Sequence, residues 1–317
     1  MPAQVACVEG TLPELVAELT SRNYLLRDPS DDPRPYADPT DALRHARRAA
    51  SAIAIGDLDS ARRAAERFGY QLVEFFDSER RQTYLLLRED LPATGECRGW
   101  GAYLFNPMAT FNAVVEAPHP LGDSKTTPIA ARVFAAGARG LLIAGAHRDK
   151  ADLPDLVSSV FHQVHSAWIG PHAGTTSVQV HGFAAYKHDF PDDAAVILST
   201  GGGQTPATLV SLDEAFDRAD LPAYVYNRLP SASDANRRLN GSSPGERFRS
   251  LAATKNLQGR YARGLGGTFV HVELEWAVRH DASRSAAAAD VVARTLAVQS
   301  PLPNPTVRPT LVDASTP

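Results

Sequence analysis

The chain has 317 residues, 44% of them hydrophobic and 21% charged, with a formal net charge of -4. Such a chain can bury a substantial core. Its slightly acidic balance offers no basic stripe to nucleic acid or anionic lipid, and no stretch approaches the ~20 apolar residues of a membrane span, so neither partner is expected.

Taken in chain order, residues 1–23 spread Glu9, Glu14, Glu18 and Arg22 through the N-terminus. A secretory signal would place a charged segment before an apolar run, so the cytoplasm is the default location. Cys7 and Cys97 are far apart in sequence, form no CxxC pair and read as two free thiols. Residues 27–40, rich in Asp and Pro, form a loop. From Asp41 to Phe68 apolar residues recur at helical spacing with a break at Gly56-Asp57, which predicts two helices. YQLVEFF and TYLLLRE flank the polar turn DSERRQ as a hairpin. Residues 91–98, with Pro92 and Gly95, form another loop. Residues 1–98 thus read as a helical and hairpin section packed on a main domain at 99–298, with a Pro-rich tail at 299–317.

In the main domain strands alternate with helices. FNAVVEA, GLLIAGA, TTSVQVHGF, DDAAVILST, AYVYN and TFVHVELEW read as strands. Pro128–Ala138, Leu153–Trp168, Thr208–Ala219 and SRSAAAADVVARTLAV read as helices, and TKNLQGRYARG as a polar loop. GLLIAGA is a continuous apolar run, as expected of a strand covered on both faces. The fold class is therefore α/β, a mostly parallel or mixed sheet with helices on both faces. Ligands of such sheets lie beyond the carboxyl ends of strands.

Three strand ends carry unusual chemistry. In VVEAPHPLGD an apolar strand runs through Glu116 into Pro118-His119-Pro120 and then Asp123. The prolines end the ladder and stiffen the turn, and a His and a carboxylate on one short loop can face one point, as zinc ligands do. The ordinary alternative is a surface His beside a helix-capping Asp. TTSVQVHGF delivers His181 followed by Gly182, where the chain can turn away or approach a ligand closely. A lone strand-end His is otherwise structural. In FVHVELEW, His271, Glu273 and Glu275 share one face by two-residue alternation. Glu273 sits among apolar residues, where a carboxylate is costly unless paired or functional; Arg279 is the available partner in the ordinary reading. HExxH, Cys-rich zinc motifs and GxxxxGK[ST] are absent. The GSSPG match at 241–245 lies in a polar loop with no strand feeding it, which argues against a serine nucleophile elbow.

At PHPLGD, VQVHGF and FVHVELEW, in that order over roughly Gly99 to His280, the chain resembles the zinc carboxypeptidase and N-formylglutamate amidohydrolase group. The resemblance implies a mixed sheet of about eight strands with helices on both faces. It also implies one Zn²⁺ held by His119, Asp123 and His181, with Glu273 as catalytic base. Zinc carboxypeptidases use His-x-x-Glu where this chain has His119-x-x-x-Asp123, which leaves Glu116 as a rival ligand. Members usually grip a substrate carboxylate with Arg, whose planar fork matches it. Arg148, directly after GLLIAGA, is the candidate for that grip and for oxyanion stabilisation, with pairing to Asp149 as the ordinary alternative. His147, Ser159, His162, Asn256 and Arg260 are further substrate-binding candidates. His162 and His165, one helical turn apart, are also a candidate metal pair.

The expected activity is hydrolysis of an amide bond in a small molecule or short peptide bearing a carboxylate, by metal-activated water. Two other readings stay open: a metal-dependent esterase, lactonase or specialised biosynthetic hydrolase, and a non-catalytic metal-binding protein of the same fold. Iron or manganese could take the place of zinc on two His and one carboxylate.

Overall fold

The computed structural model describes residues 6–170 and 174–302. The Pro-rich tail beyond 302 lies outside them. Among the described residues ten strands form one sheet: β1 Ala6–Gly10, β2 Tyr70–Asp77, β3 Gln82–Glu89, β4 Ala102–Phe105, β5 Phe111–Ala117, β6 Ala138–Ile143, β7 Thr176–Phe183, β8 Val196–Ser199, β9 Ala223–Val225 and β10 Thr268–Glu275. Their order is β1-β2-β3-β4-β6-β5-β7-β10-β8-β9. β6, β5, β7 and β10 run parallel as neighbours, whereas β2/β3, β3/β4, β4/β6 and β10/β8 are antiparallel. The sheet is mixed, as expected, but has ten strands rather than about eight. The additional ones include β1 and β4, whose runs of five and four residues carry too few alternations to stand out in sequence.

The helices are α1 Leu12–Leu19, α2 Leu43–Ala54, α3 Leu58–Glu66, α4 Leu91–Thr94, α5 Thr126–Ala135, α6 Val160–Ile169, α7 Ala207–Arg218, α8 Asp234–Asn240, α9 Leu257–Gly264, α10 Trp276–His280 and α11 Ala282–Gln299. α2 and α3 break at Gly56-Asp57, where Asp57 caps α3 by accepting from the Ser60 amide. The helix expected over 153–168 is two pieces: a 3₁₀ turn at Leu153–Asp155, then α6. Ser159 restarts it, accepting from the His162 amide at 3.0 Å. TKNLQGRYARG is not simply a loop, because Asn256 accepts from the Gly259 amide at 2.8 Å and caps α9.

Two apolar layers sandwich the sheet. One face packs Val115, Val178, Val180, Val270 and Val272 against α1, α5, α7 and α11. The other packs Val114, Leu142 and Phe269 with residues from α2, α3 and α6. The N-terminal section is continuous with both layers: β1, β2 and β3 extend the sheet, while α1 and α2 cover opposite faces. Along β7 the alternation puts Val178 and Val180 in the first layer and Ser177, Gln179 and His181 on the opposite face. Parallel pairing sets Glu116 beside Gln179 and His181 beside Glu273. The tertiary register thereby collects polar residues from three strands on one sheet face, at the carboxyl ends where the strand-end rule places ligands.

Candidate metal centre

β5, β7 and β10 end side by side beneath an open cleft of about 1050 Å³. Beyond β5 the chain turns at Pro118-His119-Pro120, and the Asp123 amide donates back to the His119 carbonyl at 2.9 Å. This closed turn brings the two side chains together. His119 Nδ1 lies 3.1 Å from Asp123 Oδ2, and His181 Nδ1, arriving from β7, lies 3.0 Å from the same oxygen. His119, Asp123 and His181 are all buried, and each offers a ligand atom within 4.8 Å of the others. His181, His271 and Glu273 form a second such group that shares His181.

The electrostatics follow from burial. Burial works to lower the His119 pKa, but hydrogen bonds with Asp123 and Asp152 outweigh it and lift the group to about 9. Burial alone would raise Asp123, yet the two imidazoles hold it well below the usual carboxylate range. His181 is lowered, chiefly by burial. Burial pushes Glu273 up to about 8, with the Asp123 charge adding to the rise. Glu273 Oε1 is 3.7 Å from His271 Nε2, and Oε2 has no hydrogen-bond partner among the described residues.

Two nitrogens and a carboxylate oxygen, buried and converging at the floor of an open cleft, make a donor set suited to zinc. One carboxylate oxygen within 3.1 Å of two imidazole nitrogens brings three donor atoms to one point, where a metal ion could take the place of the ring protons. The Nε2 atoms are held from outside, His119 by Asp152 Oδ1 at 2.9 Å and His181 by Gln179 Oε1 at 3.3 Å. Such outer partners fix the ring orientation of metal-binding histidines. The residues therefore fit a metal ion.

The remaining candidates divide. Glu116, the rival ligand, does not join the His119 group; it is fully buried deeper on the sheet face, against His165, Ser177 and Gln179. His147, Arg148 and Asn256 line the cleft. Arg148 leans toward Asp152, at 3.9 Å, rather than toward Asp149. Ser159, His162 and Arg260 are not among the cleft-lining residues. Ser159 caps α6, buried His162 meets Gln258, and exposed Arg260 donates to the Thr254 carbonyl. His162 and His165 are stacked but lack a carboxylate in common at ligand distance, since His165 Nδ1 turns to Glu116 at 2.7 Å. Arg279 does not pair with Glu273 or Glu275. Its guanidinium donates to the carbonyls of Ser124, Phe183 and Leu274. Glu275 instead caps α10, accepting from the Ala277 amide.

Asp152 and Gln179 were not among the sequence candidates, and His271 was noted only as sharing the face of Glu273. The alternation of TTSVQVHGF could have pointed to Gln179, two residues before His181. Asp152 sits 33 residues from His119, and nothing local links them.

No protein-family model matches the chain, and no curated protein matches it by sequence. Among solved structures it is similar to N-formylglutamate amidohydrolase from Ralstonia eutropha, at 11% identity and a TM-score of 0.40, over 63% of this chain and 97% of that one. It is also similar to a bacteriophage poly-gamma-glutamate hydrolase, at 14% identity and a TM-score of 0.34, over 64% and 92% of the two chains. A gene product of Agrobacterium tumefaciens stands at 12% and 0.41, over 60% and 91%.

Proposed function

We propose that this protein is a metal-dependent hydrolase of an amide bond, with His119, Asp123 and His181 as ligands of one Zn²⁺ and Glu273 as general base. The observation that carries the proposal is the convergence of three buried ligand atoms beside a buried, incompletely partnered carboxylate on a cleft floor. Bound zinc would supply Lewis acidity and a water of lowered pKa. A bound divalent cation would favour the ionised form of Glu273, which burial alone disfavours, and Glu273 Oε2 is the atom that would then take a proton and hand it to the leaving nitrogen. Burial of Glu273 keeps bulk water from competing for that oxygen. Arg148, 47% exposed at its side chain, can swing from Asp152 to grip a substrate carboxylate or a developing oxyanion. Lys187, Arg249 and Lys255 also line the cleft, beside Asp155 and Glu275, and are further cationic points at which an anionic group could be held.

The test is zinc content together with hydrolysis of N-acyl amino acids, γ-glutamyl peptides and C-terminal dipeptides. His119→Ala and His181→Ala are expected to lose zinc. Glu273→Gln is expected to keep zinc and lose about 100- to 10,000-fold in turnover, the usual weight of a general base. Full zinc in both His variants would overturn the ligand set. Zinc binding with no hydrolysis across the panel would favour the non-catalytic reading, and cleavage of esters alone would move the activity to esterase or lactonase.

A further inference from the structure

The sheet face that carries His181 holds a second polar assembly one step deeper. Glu116 on β5 is fully buried. Its carboxylate accepts from Ser177 Oγ at 2.9 Å and Gln179 Nε2 at 2.8 Å, and lies 2.7 Å from His165 Nδ1. A buried carboxylate met by three partners is expensive to assemble unless its orientation matters. Glu116 accepts from both Ser177 Oγ and Gln179 Nε2, so Gln179 turns its NH₂ toward Glu116.

The other end of the amide is fixed independently. Asn256 accepts the Gly259 amide through Oδ1, which leaves its Nδ2 to donate to Gln179 Oε1 at 2.7 Å. Both constraints aim Gln179 Oε1 at His181 Nε2, 3.3 Å away. A carbonyl oxygen there calls for a proton on Nε2. In the neutral ring, Nδ1 is then a lone pair, directed at the point shared with Asp123 Oδ2, 3.0 Å away. Two lone pairs facing each other repel unless a metal ion, or in its absence a second ring proton, lies between them. Asp152 sets the same polarity on His119, through its Nε2 at 2.9 Å.

We infer that Glu116, acting through Gln179, is a positioning residue that fixes the Nε2–H tautomer of His181 and so turns its Nδ1 lone pair toward the metal. Glu116 is therefore not a rival ligand; it orients one. The inference rests on the ligand set proposed above.

The test is zinc affinity, by chelator competition on the purified full chain, with thermal unfolding of the metal-free proteins alongside. Gln179→Leu removes the acceptor and is expected to weaken zinc binding by about 10- to 100-fold, the usual effect of losing an outer-sphere partner. Gln179→Glu sets two carboxylates side by side and is expected to weaken it as well. Adding Glu116→Gln to Gln179→Glu exchanges the two groups: the amide at 116 can donate to the carboxylate at 179, which still accepts from His181 and Asn256. This double variant is expected to recover affinity to within about threefold of the original protein, a rescue that loss of packing alone would not give. Affinity unchanged in Gln179→Leu, or a folded double variant no better than Gln179→Glu, would overturn the inference and leave the ligand set standing. Failure of the unaltered protein to bind zinc would overturn both.

Discussion

Gly182 follows His181 directly and occupies the most confined position near the centre. A Cβ placed there would lie 2.4 Å from both Cζ and Nε of Arg279. Those atoms cannot retreat cheaply. Arg279 is 6% exposed, and its guanidinium donates to Leu274 O at 3.0 Å, to Phe183 O at 3.1 Å and to the Ser124 carbonyl. These bonds tie the segment after Asp123 to the ends of β7 and β10. Gly182→Ala must displace the guanidinium and sacrifice at least two hydrogen bonds from a charged donor, worth about 1.5–3 kcal/mol each. The expected loss of stability is about 3–5 kcal/mol, close to that for breaking a buried ionic contact. Denaturant unfolding measures it, and the cause is isolated by repeating Gly182→Ala in an Arg279→Ala background. There the added methyl meets empty space and is expected to cost under about 1 kcal/mol. An equal cost in both backgrounds, or a cost below about 1 kcal/mol in the original protein, would refute the account of Gly182 as the seat of Arg279.

Three other outcomes are expected. Asp152→Ala removes the acceptor at His119 Nε2 and should weaken zinc binding by about 10- to 100-fold in chelator competition, with the fold intact. Asp213 on α7 is buried with one oxygen unpartnered among the described residues, and burial, aided by the charges of Asp217 and Glu214, raises it from 3.8 to about 8. The folded state then keeps a proton that the unfolded chain has released, so stability falls as pH rises from about 4 to about 8 and levels off above. Asp213→Asn should flatten that slope and gain up to about 5 kcal/mol at pH 9 in unfolding titrations. Glu89, 2% exposed, accepts from the Arg98 and Trp100 amides and from Arg98 Nε at 2.9–3.0 Å. Glu89→Ala should destabilise the protein by about 3–5 kcal/mol, read by denaturant unfolding.

Those parts of the molecule whose physics is local are legible in the residue order. Helices α2 and α3 and the β2–β3 hairpin follow from periodicity and turn chemistry within a dozen residues. The prolines around His119 and the alternation of TFVHVELEW likewise put His119, His271 and Glu273 at strand ends or on one strand face. Elements with short or mixed patterns were not legible: β1 and β4, the break before α6, and α9 inside a polar segment.

How those strand ends meet is set by the sheet as a whole. The order β5-β7-β10 and its register place Glu116 beside Gln179 and His181 beside Glu273, although up to 157 residues separate the members of the site. No local pattern encodes a neighbour across a sheet, because pairing is settled by which faces can be buried together. The same register separates the two carboxylates that the sequence left as rivals. Asp123, closing the turn, meets both histidines; Glu116, two pairs back from the Glu273 row, meets Gln179.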